Sequence, residues 1–152
     1  MFCALLSGCA LGDAIGGERF EAEADGYVRD KVDNTLWESS TTVGDLVTVL
    51  QHCGSITRAC GSYWRLPTNR EWAEDVLDIG SYPLDANDTD PPRPESPAAL
   101  DLGTGKYWAT IIEERPEVGA RVSGQWIDVV TGVGDSANDS DQHQARCVCT
   151  DS

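Results

Sequence analysis

The stretch "YWRLPTNREW" (Tyr63 to Trp72) decides how the middle of this chain is read. Alternation over Trp64, Arg65 and Leu66 is that of an extended segment, with two apolar side chains turned one way and the arginine turned across. Pro67 sets the backbone angle at the exit. Thr68 followed by Glu71 is the Thr-x-x-Glu pattern in which each side chain bonds the other's backbone N–H at a helix start. The stretch therefore predicts an extended entry into a helix whose apolar face is Trp72, Val76 and Leu77 and whose end lies near Gly80. No general base or nucleophile accompanies Arg65, so its expected partners are a carboxylate or backbone carbonyls at this joint. Trp64, Arg65, Leu66, Pro67, Thr68 and Glu71 are read together as architecture.

Working outward, "TTVGDLVTVLQHC" (Thr41 to Cys53) places Leu46, Val49, Leu50 and Cys53 at i, i+3, i+4 and i+7, which predicts a first helix with Thr42 as N-cap. Before it, "DGYVRDKVDNTLWESS" (Asp25 to Ser40) offers two short β-prone runs, Tyr27 to Val32 and the run through Leu36 and Trp37. Turns at Asp25-Gly26 and Asp33-Asn34 bound them. After the second helix, five of the seven prolines fall between Tyr82 and Pro97, so a long surface loop is expected there. The remaining β-prone segments are Lys106 to Ile112, Arg121 to Ser123, Gln125 to Val130 and Gln144 to Thr150. Helices thus segregate from a later run of antiparallel strands, which is an α+β arrangement, and 152 residues suit one domain.

The formal net charge is −15, from 26 acidic against 11 basic side chains, which disfavours nucleic acid and other polyanions as partners. No apolar run approaches the roughly 20 residues that span a bilayer. The N-terminal "MFCALLSGCALGDAIGG" ends a short apolar run in Leu6, Ser7, Gly8 and Cys9, which resembles a bacterial lipobox, although no Lys or Arg precedes Arg19. This divides the chain into a lipoprotein signal over 1–8, a tether over 9–18 that starts with acylated Cys9, and a domain over 19–152. An apolar N-terminal strand is the alternative. Cys53, Cys60, Cys147 and Cys149 remain for the domain, the last two at i and i+2, where a strand turns both to one face. Three connectivities are open, and Cys147 to Cys149 would constrain little chain. We adopt Cys53 with Cys147 and Cys60 with Cys149. A four-thiolate zinc site is the rival, but these spacings match zinc fingers poorly, and export favours disulfides.

In order along the chain, "DGYVRDKVDNTLWES", Cys53, "YWRLPTNREW", "YWAT" (Tyr107 to Thr110) and "RCVC" (Arg146 to Cys149) resemble the landmarks of the Lcl-type C-terminal domain family of bacterial surface proteins and lipoproteins. The resemblance covers about residues 19 to 150. It implies a C-type-lectin-like fold: two helices on small antiparallel sheets, with long loops and adjacent N- and C-terminal strands. The strand of Tyr27 is expected beside that of Cys147. It also implies a bond from a first-helix cysteine to the "RC" cysteine, in agreement with the pairing adopted above. Cys60, Cys149, the proline-rich insertion and the acidity depart from that pattern.

Lectin-like folds present ligands on long loops and the short strands beside them. Here that surface would hold Trp126, Asp128, Asn138 and His143, with either Trp126 or its neighbour Ile127 facing out. In "DSANDSD" (Asp135 to Asp141), Asp135, Asn138, Asp139 and Asp141 supply the hard oxygens that calcium takes, and calcium is the one candidate cofactor. The loop is not an EF-hand, and "DANDTD" (Asp85 to Asp90) offers a similar set. His52 and His143 have no triad partner in sequence and read as surface histidines. The expected function is a non-enzymatic, lipid-anchored domain at the bacterial cell surface or outer membrane that binds an extracellular glycan or protein. The alternative is a structural subunit that self-associates into a surface assembly or filament. A hypervariable receptor on a lectin-like scaffold is a further variant of the binding reading.

Overall fold

A computed structural model describes residues 18–111 and 123–151. A hairpin opens the fold: β2 (Tyr27–Asp30) and β3 (Thr35–Glu38) turn at Asp33-Asn34, with Asn34 in the left-handed region at φ 56°. β1 (Phe20–Ala22) pairs with β2, and the last strand, β9 (Val148–Thr150), pairs with β3, so the first sheet runs β1-β2-β3-β9. The N- and C-terminal strands are therefore at opposite edges, not adjacent. The strand following Cys147 lies beside Thr35–Glu38, with Tyr27's strand one place further on. The tight Asp33-Asn34 turn puts β3 inside, leaving β2 no free edge.

The second sheet runs β4-β8-β5-β6-β7, from β4 (Thr42–Gly44), β5 (Lys106–Thr110), β6 (Gly124–Asp128), β7 (Gly134–Ser136) and β8 (His143–Ala145). Its β5–β8 contact is parallel, so the sheet is mixed, not wholly antiparallel. Gln144 to Thr150, read as one strand, is two strands in two sheets. The break falls at Arg146, whose buried guanidinium donates to the carbonyls of Glu38, Leu100 and Asp101 and to Thr41 Oγ1, drawing the chain from one sheet into the other.

The first helix, α1 (Leu46–Gly54), is capped by Asp45 and not by Thr42. Thr42 is committed to β4 opposite Ala145, whereas the Asp45 carboxylate accepts from Thr48 N at 2.9 Å. The second helix, α2 (Glu71–Val76), is a single widened turn in which Leu77 N bonds Trp72 O at 2.9 Å, an i→i+5 spacing. Asp78, at φ 54°, ends helical geometry before the expected limit at Gly80.

The Thr68–Glu71 box forms as two reciprocal bonds, Glu71 N to Thr68 Oγ1 at 3.1 Å and Thr68 N to Glu71 Oε1 at 2.8 Å. The same carboxylate receives Arg65 through both oxygens, at 2.6 and 2.9 Å. Burial pushes the Glu71 carboxyl up, but the Arg65 guanidinium outweighs it and the net shift is downward. Arg65 also exchanges both backbone bonds with Val148, closing the outer edge of β9. One glutamate thus caps α2, neutralises Arg65 and ties the joint to the first sheet.

Side-chain alternation along β3 and β5 divides the interior in two. Trp37, Tyr107 and Ala109 face a core with Phe20, Trp72, Val76, Leu77 and Ile127, while Leu36 and Trp108 face a second core with Leu46, Val49, Trp64, Leu66 and the half-cystines. Both disulfides are formed, Cys53 to Cys147 and Cys60 to Cys149. The proline-rich loop is pinned at Leu84, which bonds Gly132 O and Gly134 N beside β7.

Candidate functional site

The face of the second sheet that carries Trp108 is where the expected ligand residues meet. Cross-strand register sets Lys106 opposite Asp128, Trp108 opposite Trp126, and Trp126 opposite Asp135. α1 covers the inner end of this face through Leu46 and Val49, so Trp108 is fully buried and donates its indole N–H to Gly44 O at 2.8 Å. Gly124 is required beneath that ring, because a Cβ there would lie 2.5 Å from Trp108. Further out on the face, Trp126 is half-buried, whereas Ile127 points into the core between the sheets.

The carboxylates read as ligands are mostly committed to turns. Asp128 Oδ1 accepts from Val130 N at 2.8 Å and Thr131 N at 3.1 Å, which closes the β6–β7 connection. Asp135 accepts from Ser136 N, and Asp141 accepts from Asn138 N at 3.0 Å. Asp139 works through its carbonyl, which receives Leu46 N at 3.0 Å and fastens the loop to the start of α1. The side-chain oxygens of Asp135, Asp139 and Asp141 do not gather within 4.8 Å of one another. The calcium expectation thus falls on a loop whose Asp135 and Asp141 carboxylates also accept from backbone N–H groups.

His143 is not a surface histidine. Its ring packs edge-on against Trp108 with centroids 4.9 Å apart, and its side chain is only 12% exposed. Burial, aided by the Lys106 ammonium, holds the imidazole below the usual histidine range against the pull of Asp141. It therefore lies partly buried on this face, against Trp108. His52 departs from the surface reading too: its Nε2 meets Glu38 Oε2 at 2.7 Å, and the other Glu38 oxygen accepts from Cys147 N. Cys147 stands close enough to complete a Glu38–His52–Cys147 metal set, but its sulfur is spent in a disulfide.

Sequence reasoning missed Lys106. Its ammonium stands 3.9 Å from the Trp126 ring centroid, an arrangement that needs only the alternation Lys106-Tyr107-Trp108 and the β5–β6 register. It also missed a cluster at the far side, where Arg19 bonds both oxygens of Asp30 at 2.7 Å and reaches Asp33 at 2.8 Å and Asp75 at 3.2 Å. Burial, reinforced by the adjacent Asp33 charge, pushes the Asp75 carboxyl up to about 7. A groove of about 420 Å³ opens beside it, lined by Glu18, Glu74, Asp75, Asp78 and Glu95. The three aspartates converge as a cation site would, but a guanidinium already sits among them.

No family model, curated protein or solved structure matches this chain. No helix among the described residues is long and apolar enough to cross a membrane. The two disulfides are of a kind that persists in oxidising compartments. Cys3 and Cys9, the end of the Lys106 to Ile112 segment at Ile112, and Arg121 of the Arg121 to Ser123 segment lie outside the described residues.

Proposed function

We propose that this is an exported, non-catalytic binding domain, with its ligand face on the second sheet around Trp126. The observation that carries the reading is a half-buried tryptophan in a domain whose other four tryptophans are buried. An indole left partly in water on a sheet face beside the exposed Lys106 and Asp135 is suited to stacking on a sugar ring. The motif likeness to Lcl-type surface domains and the lipobox-like Leu6 to Cys9 support a lectin-like domain held at a bacterial surface through acylated Cys9.

The test uses the native protein and Trp126→Ala on a panel of immobilised extracellular glycans. Glycan binding lost in the variant, with melting temperature and disulfides unchanged, supports the reading; binding that persists without Trp126 overturns the site. Intact mass of the exported protein tests the anchor, since the acylated form begins at Cys9 and carries added lipid mass.

A further inference from the structure

The Trp126 face holds a cation that the fold does not use. The chain has two lysines, and Lys31 lies 3.9 Å from a Glu21 oxygen. Lys106 is exposed and, among the described residues, has no carboxylate oxygen within ion-pair distance; its one close partner is the Trp126 ring. This is unexpected beside Asp128, its cross-strand neighbour. The explanation lies in the turn, because the Asp128 carboxylate faces the amides of Val130 and Thr131. Asp135 and Asp141 likewise accept from backbone N–H groups, and among the described residues neither forms an ion pair with the ammonium.

An ammonium has three donors. A ring face attracts its charge but supplies no lone pair, so the donors of Lys106 are left to water or to a ligand. A neutral sugar stacked on Trp126 would gain little from them. A single carboxylate would form charge-assisted bonds, roughly twice as strong as neutral ones. A chain of many anionic groups would meet one cation here against a net charge of −15, and would be opposed. The matching ligand therefore has one ring with an apolar C–H face and one carboxylate.

Resting on the ligand-face reading above, we propose that Lys106 and Trp126 form a subsite for a carboxylated sugar of the hexuronic acid class. The carboxylate draws the ammonium off the indole face that it now covers at 3.9 Å from the centroid, and the C–H face of the ring takes its place there. Lys106 is the residue that discriminates, and Trp126 is the platform.

Methyl glucuronide and methyl glucoside share a ring and differ in the carboxylate, so they serve as probes. Each is titrated into ¹⁵N-labelled protein while the five indole N–H signals are followed, Trp126 being assigned from Trp126→Phe. The expected result is movement of the Trp126 signal with saturation at least tenfold lower in concentration for the glucuronide. Lys106→Met should bring the two sugars together, and Lys106→Arg should keep them apart. Equal affinities in the native protein, or a glucuronide preference that survives Lys106→Met, would overturn the proposal while leaving a glycan face at Trp126 standing. If neither sugar moves the Trp126 signal, both the subsite and the glycan reading of the face fall together.

Discussion

The two cores of this domain are held by different means. The core under α1 has a nine-residue helix to supply its apolar face, and three of its members are cysteines of two disulfides. The core under α2 has no disulfide. It is filled by large rings in succession, Phe20 on Trp37 at 6.4 Å, Trp37 on Trp72 at 5.2 Å and Trp72 on Tyr107 at 5.2 Å. The core under α1 is fixed covalently, through Cys53 of the helix to Cys147 and Cys60 to Cys149 of β9, whereas the other core rests on stacked aromatic area without such a bond.

Breaking the covalent side should have the largest effect. The bridges span sequence separations of 94 and 89 residues, for which the chain-entropy estimate is about 4 to 5 kcal/mol for one bridge and less for the second, since the loops overlap. Chemical denaturation of Cys53→Ala/Cys147→Ala should therefore show a loss on the order of 4 kcal/mol; a midpoint unmoved by reductant would remove the distinction between the cores. On the aromatic side, Trp72 is fully buried and donates to Trp108 O at 3.1 Å. Trp72→Ala should cost about 3 to 5 kcal/mol, with the disulfides still formed.

Two carboxylates near α2 sharpen the comparison through pH. Glu71 is depressed by Arg65, so its contribution is present above the unfolded value of about 4.3 and lost as pH falls through the lower folded value. Glu71→Gln should cost about 2 kcal/mol at neutral pH and flatten that acid limb. Asp75 has the opposite sign. Its folded carboxyl holds a proton up to about 7, so the folded state binds more protons than the unfolded chain, and stability rises as pH falls from about 7 toward about 4. Because solvent screens the partly buried carboxyl, the gain should be no more than about 2 kcal/mol. Melting temperatures across pH 4 to 8 should show the slope in the native protein and a flatter one in Asp75→Asn. A native profile that climbs from pH 4 to 7 would remove the proton from Asp75.

The smallest effect concerns the surface. With acidic groups exceeding basic ones by 15 (26 minus 11), the domain should pass a heparin column at about 0.15 M salt, where the Debye length is roughly 8 Å. Retention there would reveal a basic patch strong enough to override the mean field.

Much of this was legible in local pattern, and the reason is range. The Thr68–Glu71 box and the apolar spacing of Leu46, Val49 and Cys53 are interactions within one helical turn or two, so adjacent residues determine them. The Arg65–Glu71 pair spans six residues and was anticipated as a kind, though not by partner. The candidate site was legible less well. Trp126 could be placed on a strand, but its partial exposure depends on which residues the packed fold sets against it. Asp128, Asp135 and Asp141 look like ligands in sequence because their bonds to nearby amides are invisible until the turns are built.

What the sequence determined by itself was the α+β order of elements, the even set of four cysteines and the acidic surface, all of which follow from composition and short-range period. Tertiary structure alone decided that Gln144 to Thr150 divides between two sheets, because the carbonyls that receive Arg146 come from residues 45 to 108 positions away. It also decided that Lys106 rests on Trp126 and that Arg19 gathers Asp30, Asp33 and Asp75. These contacts join segments with no shared local pattern, and they exist only once strand register and helix packing have brought the segments together.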